Sequence, residues 1–117
     1  MNKINIVNKS NHAPTDRDFY VGRGSAFGNP FTSQKIERTK AEFQASSREE
    51  AIEKYETYLE VQLRLKQRNV INGLEKMVEM LKEGDINLVC YCAPKRCHAE
   101  VIKNKVMGML LKNLMPE

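Results

Sequence analysis

Polar and apolar residues alternate at period two in Lys3-Ile4-Asn5-Ile6-Val7, the pattern of a short strand with one buried face. Asn8 to Asp18 is rich in Asn, Ser, Pro and Asp and reads as a loop, after which Phe19-Tyr20-Val21 predicts a second short strand. From Gly22 to Phe31 three glycines and Pro30 exclude regular structure. Thr32 to Gln44 is polar and carries no period. Ser47-Arg48-Glu49-Glu50 is a capping box, in which Ser47 accepts from the Glu50 amide while the Glu50 carboxylate reaches back. The helix it opens buries Ile52, Tyr55, Leu59 and Leu63 and ends near Gln67 to Asn69. A second helix over Val70 to Lys82 shares Ile71, Leu74, Val78 and Leu81 on one face, and Gly84 suits a left-handed cap at its end. Ile86 to Cys92 is the best strand of the chain. Apolar residues on both its faces predict a central strand covered on two sides, and Pro94 bars its continuation. A last helix starts at Cys97 or His98, runs to about Leu114, and shares Ile102, Val106, Met109, Leu110 and Asn113 on one side.

This order predicts a single α/β domain over residues 1–117: a small, largely parallel sheet flanked by helices, Rossmann-like in two or three layers. The length fits one domain, and 41% hydrophobic residues support a real if small core. No apolar stretch reaches bilayer length, so no membrane partner is expected. The N-terminus lacks the charged-then-apolar layout of a signal peptide, which predicts a cytoplasmic protein. Nineteen basic residues against fifteen acidic ones give a net charge of +4, mixed along the chain rather than blocked. That balance slightly favours anionic ligands, and without a basic-aromatic stripe it argues against nucleic acid. Met107, Met109 and Met115 could pack an oligomer contact, although filling gaps in a core is the commoner use.

All three cysteines and one of the two histidines fall in Cys90-Tyr91-Cys92-Ala93-Pro94-Lys95-Arg96-Cys97-His98, at a strand-to-helix junction. Three cysteines cannot all pair within one chain, and Cys90 and Cys92 are badly spaced for a disulfide, so reduced thiols are expected. Three chemistries compete. Cys97 at a helix N-terminus, with Lys95 and Arg96 nearby, could be a thiolate nucleophile, with Cys92 beside it and His98 as acid or base. Cys90, Cys92, Cys97 and His98 form a zinc ligand set, but without paired C-x-x-C knuckles and with adjacent Cys97 and His98 ill-placed to share an ion. Cys90 to Arg96 imitates a phosphatase loop without the usual glycine. A plain structural role stands beside all three, because cysteine packs well as a small buried hydrophobe, and mid-strand Cys90 suits that role best.

The other informative segment is Gly22-Arg23-Gly24-Ser25-Ala26-Phe27-Gly28-Asn29-Pro30-Phe31. Glycine allows backbone to approach a phosphate, Arg23 offers a planar fork, Ser25 a hydroxyl, and Asn29 a group able to read a base, sugar or amide. Neither Walker A nor the dinucleotide G-x-G-x-x-G spacing is present. An ordinary turn-rich loop with a surface arginine is the alternative. Both segments follow candidate strands. Ligands gather beyond the carboxyl ends of strands in parallel sheets, so the two could form one site.

Three motifs then carry a resemblance: Tyr20 to Phe31, Ser47 to Tyr55 with Leu59, and Leu88 to Pro94 with Cys97 to Ile102. In this order they resemble DUF4326, a family of small bacterial and phage proteins of unknown function, from about Ile4 to Leu110. The resemblance implies that Gly22, Arg23, Ser25, Gly28, Asn29, Pro30, Arg48, Tyr55, Cys90, Cys92, Pro94, Cys97 and His98 sit on family motif positions, and that Lys95 and Arg96 do not.

The resulting expectation is a site for a small anionic ligand of nucleotide or sugar-phosphate type. Gly22, Arg23, Gly24, Ser25, Gly28 and Asn29 would bind it; Cys97, His98 and Cys92 would line the reacting centre for group transfer or hydrolysis. No cofactor is called for, zinc being the alternative. A zinc-stabilised binding module and a non-catalytic protein that sequesters a ligand are the competing functions.

Overall fold

The computed structural model describes residues 2–32 and 43–114. In chain order its elements are β1 (Ile4–Asn8), β2 (Asp18–Tyr20), β3 (Phe31–Thr32), β4 (Phe43–Gln44), α1 (Arg48–Arg64), α2 (Arg68–Glu83), β5 (Ile86–Cys90) and α3 (Ala99–Leu114). β1, β5 and β2 form a parallel sheet in that spatial order. Ile4 to Asn8 run in register with Ile86 to Cys90, and Asp18 to Tyr20 with Asn87 to Val89, so all three strands finish at one edge. β5 is central, and Ile86, Leu88 and Cys90 on one face and Val89 on the other are all buried. The expected α/β class and the two-sided cover of this strand are what the molecule has. β3 and β4, which carry no strand signal in the sequence, pair as a separate parallel ladder.

The core joins Ile86 and Leu88 to Tyr55 and Leu59 of α1, Leu74, Met77, Val78 and Leu81 of α2, and Ile102, Val106 and Leu110 of α3. Met107 and Met109 pack partly against that core; Met115 lies outside the described residues, as do residues 33–42 of the polar segment. No helix among the described residues is long and apolar enough to cross a membrane.

Several boundaries differ from the sequence reading. β5 ends at Cys90, not Cys92, because the next residues bond to a side chain: the Asn8 amide donates to the carbonyls of Tyr91 (3.2 Å) and Ala93 (2.9 Å). α1 stops at Arg64. Lys66 adopts a left-handed φ of 55°, and the amides of Lys66 and Gln67 fold back onto the carbonyls of Leu63 and Gln62, the Schellman arrangement that glycine usually occupies. The N-cap Ser47 accepts from the Glu50 amide as expected, but the Glu50 carboxylate reaches one residue further, to the amide and hydroxyl of Ser46. Gly84 is extended rather than left-handed. The end of α2 is closed by Arg17, which donates to the carbonyls of Met80, Gly84 and Asp85.

The first connection of the sheet is not a β-α-β unit. β1 reaches β2 through residues 9–17 without a helix, while α1 and α2 both lie in the crossover from β2 to β5.

Candidate functional site

The in-register carboxyl ends of β2 and β5 deliver the glycine loop and the cysteine junction to one edge of the sheet. The two segments meet there. The Val21 amide donates to Val89 O at 3.0 Å, and His98 Nε2 donates to Val21 O at 2.6 Å. His98 is buried, and the ring of Tyr55 abuts it edge-on at 4.8 Å. Burial pulls its pKa below the ordinary imidazole range, against the opposing pull of the Val21 carbonyl, so the ring is neutral near pH 7. His98 thus ties the start of α3 to the start of the glycine loop.

The loop is held by its own side chains. The Arg23 guanidinium donates through Nε to Asn29 O (3.0 Å) and through Nη2 to Phe31 O (2.9 Å). Ser25 Oγ donates to Gly22 O at 2.6 Å. Asn29 is buried: its amide donates to Ala51 O (3.2 Å) and its oxygen accepts from the Phe31 amide (2.9 Å). Phe27 is buried and its ring lies on Gly73 of α2, while the buried Tyr55 hydroxyl donates to Phe27 O at 2.8 Å. Gly28 is required by a close approach, since a Cβ there would stand 2.8 Å from the Arg23 Cα. Ser25 and Asn29 are therefore engaged in building the loop, and both also line the cleft beside it. What the loop leaves open is a cleft of about 270 Å³ lined by Arg23, Gly24, Ser25, Ala26, Gly28, Asn29, Pro30 and Tyr58. The exposed residues Gly24 and Ala26 present amides that make no hydrogen bond among the described residues.

Arg23 is half-buried. Loss of water lowers its pKa, and the Cys92 sulfur and Tyr20 hydroxyl pull it back up. Among the described residues neither Arg23 nor Arg48 forms an ion pair with a carboxylate. Arg48, on the first turn of α1, donates to Arg96 O at 3.1 Å across to the cysteine junction.

The three thiols are free and gathered together. Cys97 Sγ donates to Cys90 Sγ at 3.6 Å, and both residues are buried. Contacts with Cys90 and Cys92, with burial, push the Cys97 thiol far above its ordinary range. Cys92 is only partly buried, and the neighbouring thiols of Cys90 and Cys97, with the Arg48 guanidinium, hold its thiol far below that range. Cys97 is 4% exposed and donates its proton to a neighbouring sulfur, which leaves Cys92 the most accessible of the three thiols. The four-residue zinc set does not assemble: the His98 Nε2 is turned to Val21, and among the described residues no group of three or more His, Cys, Asp or Glu is arranged to hold a metal ion.

All the expected residues therefore come to one edge, but they divide. The cleft is lined by the glycine loop and α1, and the thiols lie beyond it, with Arg23 as the residue that both lines the cleft and acts on Cys92. Residue chemistry alone did not single out Arg48 or Tyr55 as site-building groups; the family resemblance marked both positions. Nothing in the sequence signals that Phe27 seats on Gly73.

Compared with known proteins, the chain matches the family model described as a domain of unknown function (DUF4326) over residues 4–108, and it belongs to that family. No curated protein and no solved structure matches it significantly.

Proposed function

We propose that this protein binds a small anionic ligand of the nucleotide or sugar-phosphate class at the carboxyl edge of its sheet and uses the Cys92 thiolate in a group transfer or hydrolysis. The observation that carries the reading is Arg23. It is a half-buried guanidinium, fixed by two carbonyls in the wall of a cleft, without a described carboxylate partner and within electrostatic reach of a thiolate. A cation so placed has lost water without gaining a carboxylate partner, and an oxyanion in the cleft supplies one. The open amides of Gly24 and Ala26 add donors for the same oxyanion. On the other side of Arg23, the electron pair of Cys92 forms a bond to the electrophilic atom of the ligand as the leaving group departs with its own pair. Water or an acceptor then takes the group and frees the thiolate. His98 in this reading is a positioning residue that holds the loop through Val21. Three free thiols, two of them buried, suit a reducing cytoplasm.

The test is a thermal-shift series against nucleotides, sugar phosphates and inorganic phosphate, on the full chain and on Arg23→Gln. At a hundredfold excess over Kd a ligand that binds the native state alone contributes about 2.7 kcal/mol, a readily measured rise in Tm. Stabilisation by a phosphorylated ligand that disappears in Arg23→Gln supports the reading. If no compound in the series shifts the wild type, or if Arg23→Gln responds as the wild type does, the reading fails.

A further inference from the structure

At the same edge of the sheet two large aromatic side chains stand in water. Tyr91 is 59% exposed and Tyr20 36%, their centroids are 6.2 Å apart and their rings nearly perpendicular. Parallel register explains the pairing. Tyr20 lies opposite Val89, and Tyr91, two residues further on, emerges on the same side just past the sheet.

Neither ring is loose. The Tyr20 hydroxyl donates to Arg23 O at 3.0 Å, and the ring covers Gly22 so closely that a Cβ there would stand 2.4 Å from its oxygen. The Tyr91 backbone is held by Asn8 through its carbonyl. Lys9 sits against both rings, its Nζ 4.9 Å from the Tyr20 centroid and 5.9 Å from that of Tyr91. The Lys9 amide donates to Cys90 O at 2.8 Å, which fixes that lysine at the end of β5. Tyr91 is the residue next to Cys92, and Tyr20 bonds the residue that lines the cleft. An exposed ring in water contributes nothing to the core. A pair of them so held, one bonded to Arg23 and the other next to Cys92, offers a flat face for another ring.

We infer that Tyr91, braced by Tyr20 and Lys9, is a stacking shelf for a nucleobase, and that the ligand class is therefore a nucleoside phosphate rather than a simple sugar phosphate. The inference rests on the proposed anion site. Its geometry is that of a base lying on the exposed Tyr91 face while the attached phosphate reaches Arg23. Stacking on an aromatic side chain is tolerant of base identity, so the shelf selects for a planar ring without choosing among bases.

The chain has four tyrosines and no tryptophan, so tyrosine fluorescence reports directly on such a contact. Adenosine monophosphate, uridine monophosphate and ribose 5-phosphate are titrated into the full chain, Tyr91→Ala and Tyr91→Phe, with fluorescence and calorimetry read together. The expected result is that both nucleotides bind the wild type and quench its emission. Tyr91→Ala should lose roughly tenfold in nucleotide affinity, the ratio that about 1.4 kcal/mol represents. Tyr91→Phe should keep it, and ribose 5-phosphate should bind wild type and Tyr91→Ala alike. Nucleotide affinity untouched by Tyr91→Ala overturns the shelf and leaves the anion site standing. Equal losses for nucleotide and ribose 5-phosphate also overturn it, since the tyrosine then supports the fold of the site rather than a base. Failure of all three compounds to bind the wild type overturns the anion site, and the shelf with it.

Discussion

Gly73→Ala examines the anchor that fixes the glycine loop. An added Cβ would lie 2.6 Å from Cε2 and from Cζ of Phe27, about an ångström inside the usual carbon–carbon separation. The far edge of a ring could swing away if it were free, but Phe27 is 6% exposed and its carbonyl is pinned by Tyr55. Two effects oppose. Alanine in place of glycine inside a helix gains about 0.8–1.0 kcal/mol, and overpacking a filled core costs about 1–3 kcal/mol. The single substitution should therefore lower stability by about 0–2 kcal/mol. Phe27→Ala should cost about 3–5 kcal/mol. In that background nothing meets the new methyl group, so Gly73→Ala should now stabilise by about 1 kcal/mol. The sign of one substitution reverses with the partner, and the coupling should be about 1–3 kcal/mol. Urea denaturation of the four proteins, followed by circular dichroism, measures it. A coupling below about 0.5 kcal/mol, the range of independent sites, refutes the claim that this ring holds the loop to α2.

Lys66→Gly should raise stability by about 0.5–1 kcal/mol. It removes a left-handed cost of about 1–2 kcal/mol and adds some unfolded-chain entropy, and a fall in the urea midpoint contradicts it. At Asp18 burial would raise the carboxyl pKa, but hydrogen bonds from Asn87, the amide and hydroxyl of Thr15, and His12 outweigh it and hold the pKa well below the ordinary 3.8. A depressed folded pKa contributes stability above the unfolded value, lost as pH falls through the folded one. Asp18→Asn should therefore be less stable than wild type at pH 7, with the gap closing below about pH 4 in denaturation curves; a constant gap argues against it. Iodoacetamide should alkylate Cys92 at a rate nearly flat from pH 6 to 8, well below the usual thiol pKa of about 8.5, and spare Cys90 and Cys97. Cys90→Ala, which removes the largest influence on that thiol, should restore a rise with pH, and mass mapping of the wild type that finds Cys97 labelled first counts against the assignment.

Periodicity located β1, β5 and all three helices because each buries one regular stripe, and the central place of β5 followed from apolar residues on both its faces. It misplaced the end of β5 because Asn8, some eighty residues earlier, supplies the bonds that turn the chain at Tyr91 and Ala93. It assigned Gly84 a local cap, whereas the cap comes from Arg17. The burial of Cys97, on which the sequence reading centred, has the same kind of origin. A helix N-terminus is visible in sequence, but the approach of Arg48 and the mutual contact of three thiols are products of packing. Ser25 and Asn29 read as ligand groups from their chemistry, and their structural bonds to Gly22 and Ala51 are again products of packing that the sequence does not show.

The middle strand of the sheet is also the last of the three to leave the ribosome. β1 and β2 touch β5 and not each other, so until Ile86–Cys90 arrives neither has a ladder to join. Some eighty residues must be held without it, and closure over such separations is slow. Without β5 the other two strands have no ladder in this sheet, and the common edge at which their carboxyl ends align exists only once Ile86–Cys90 lies between them.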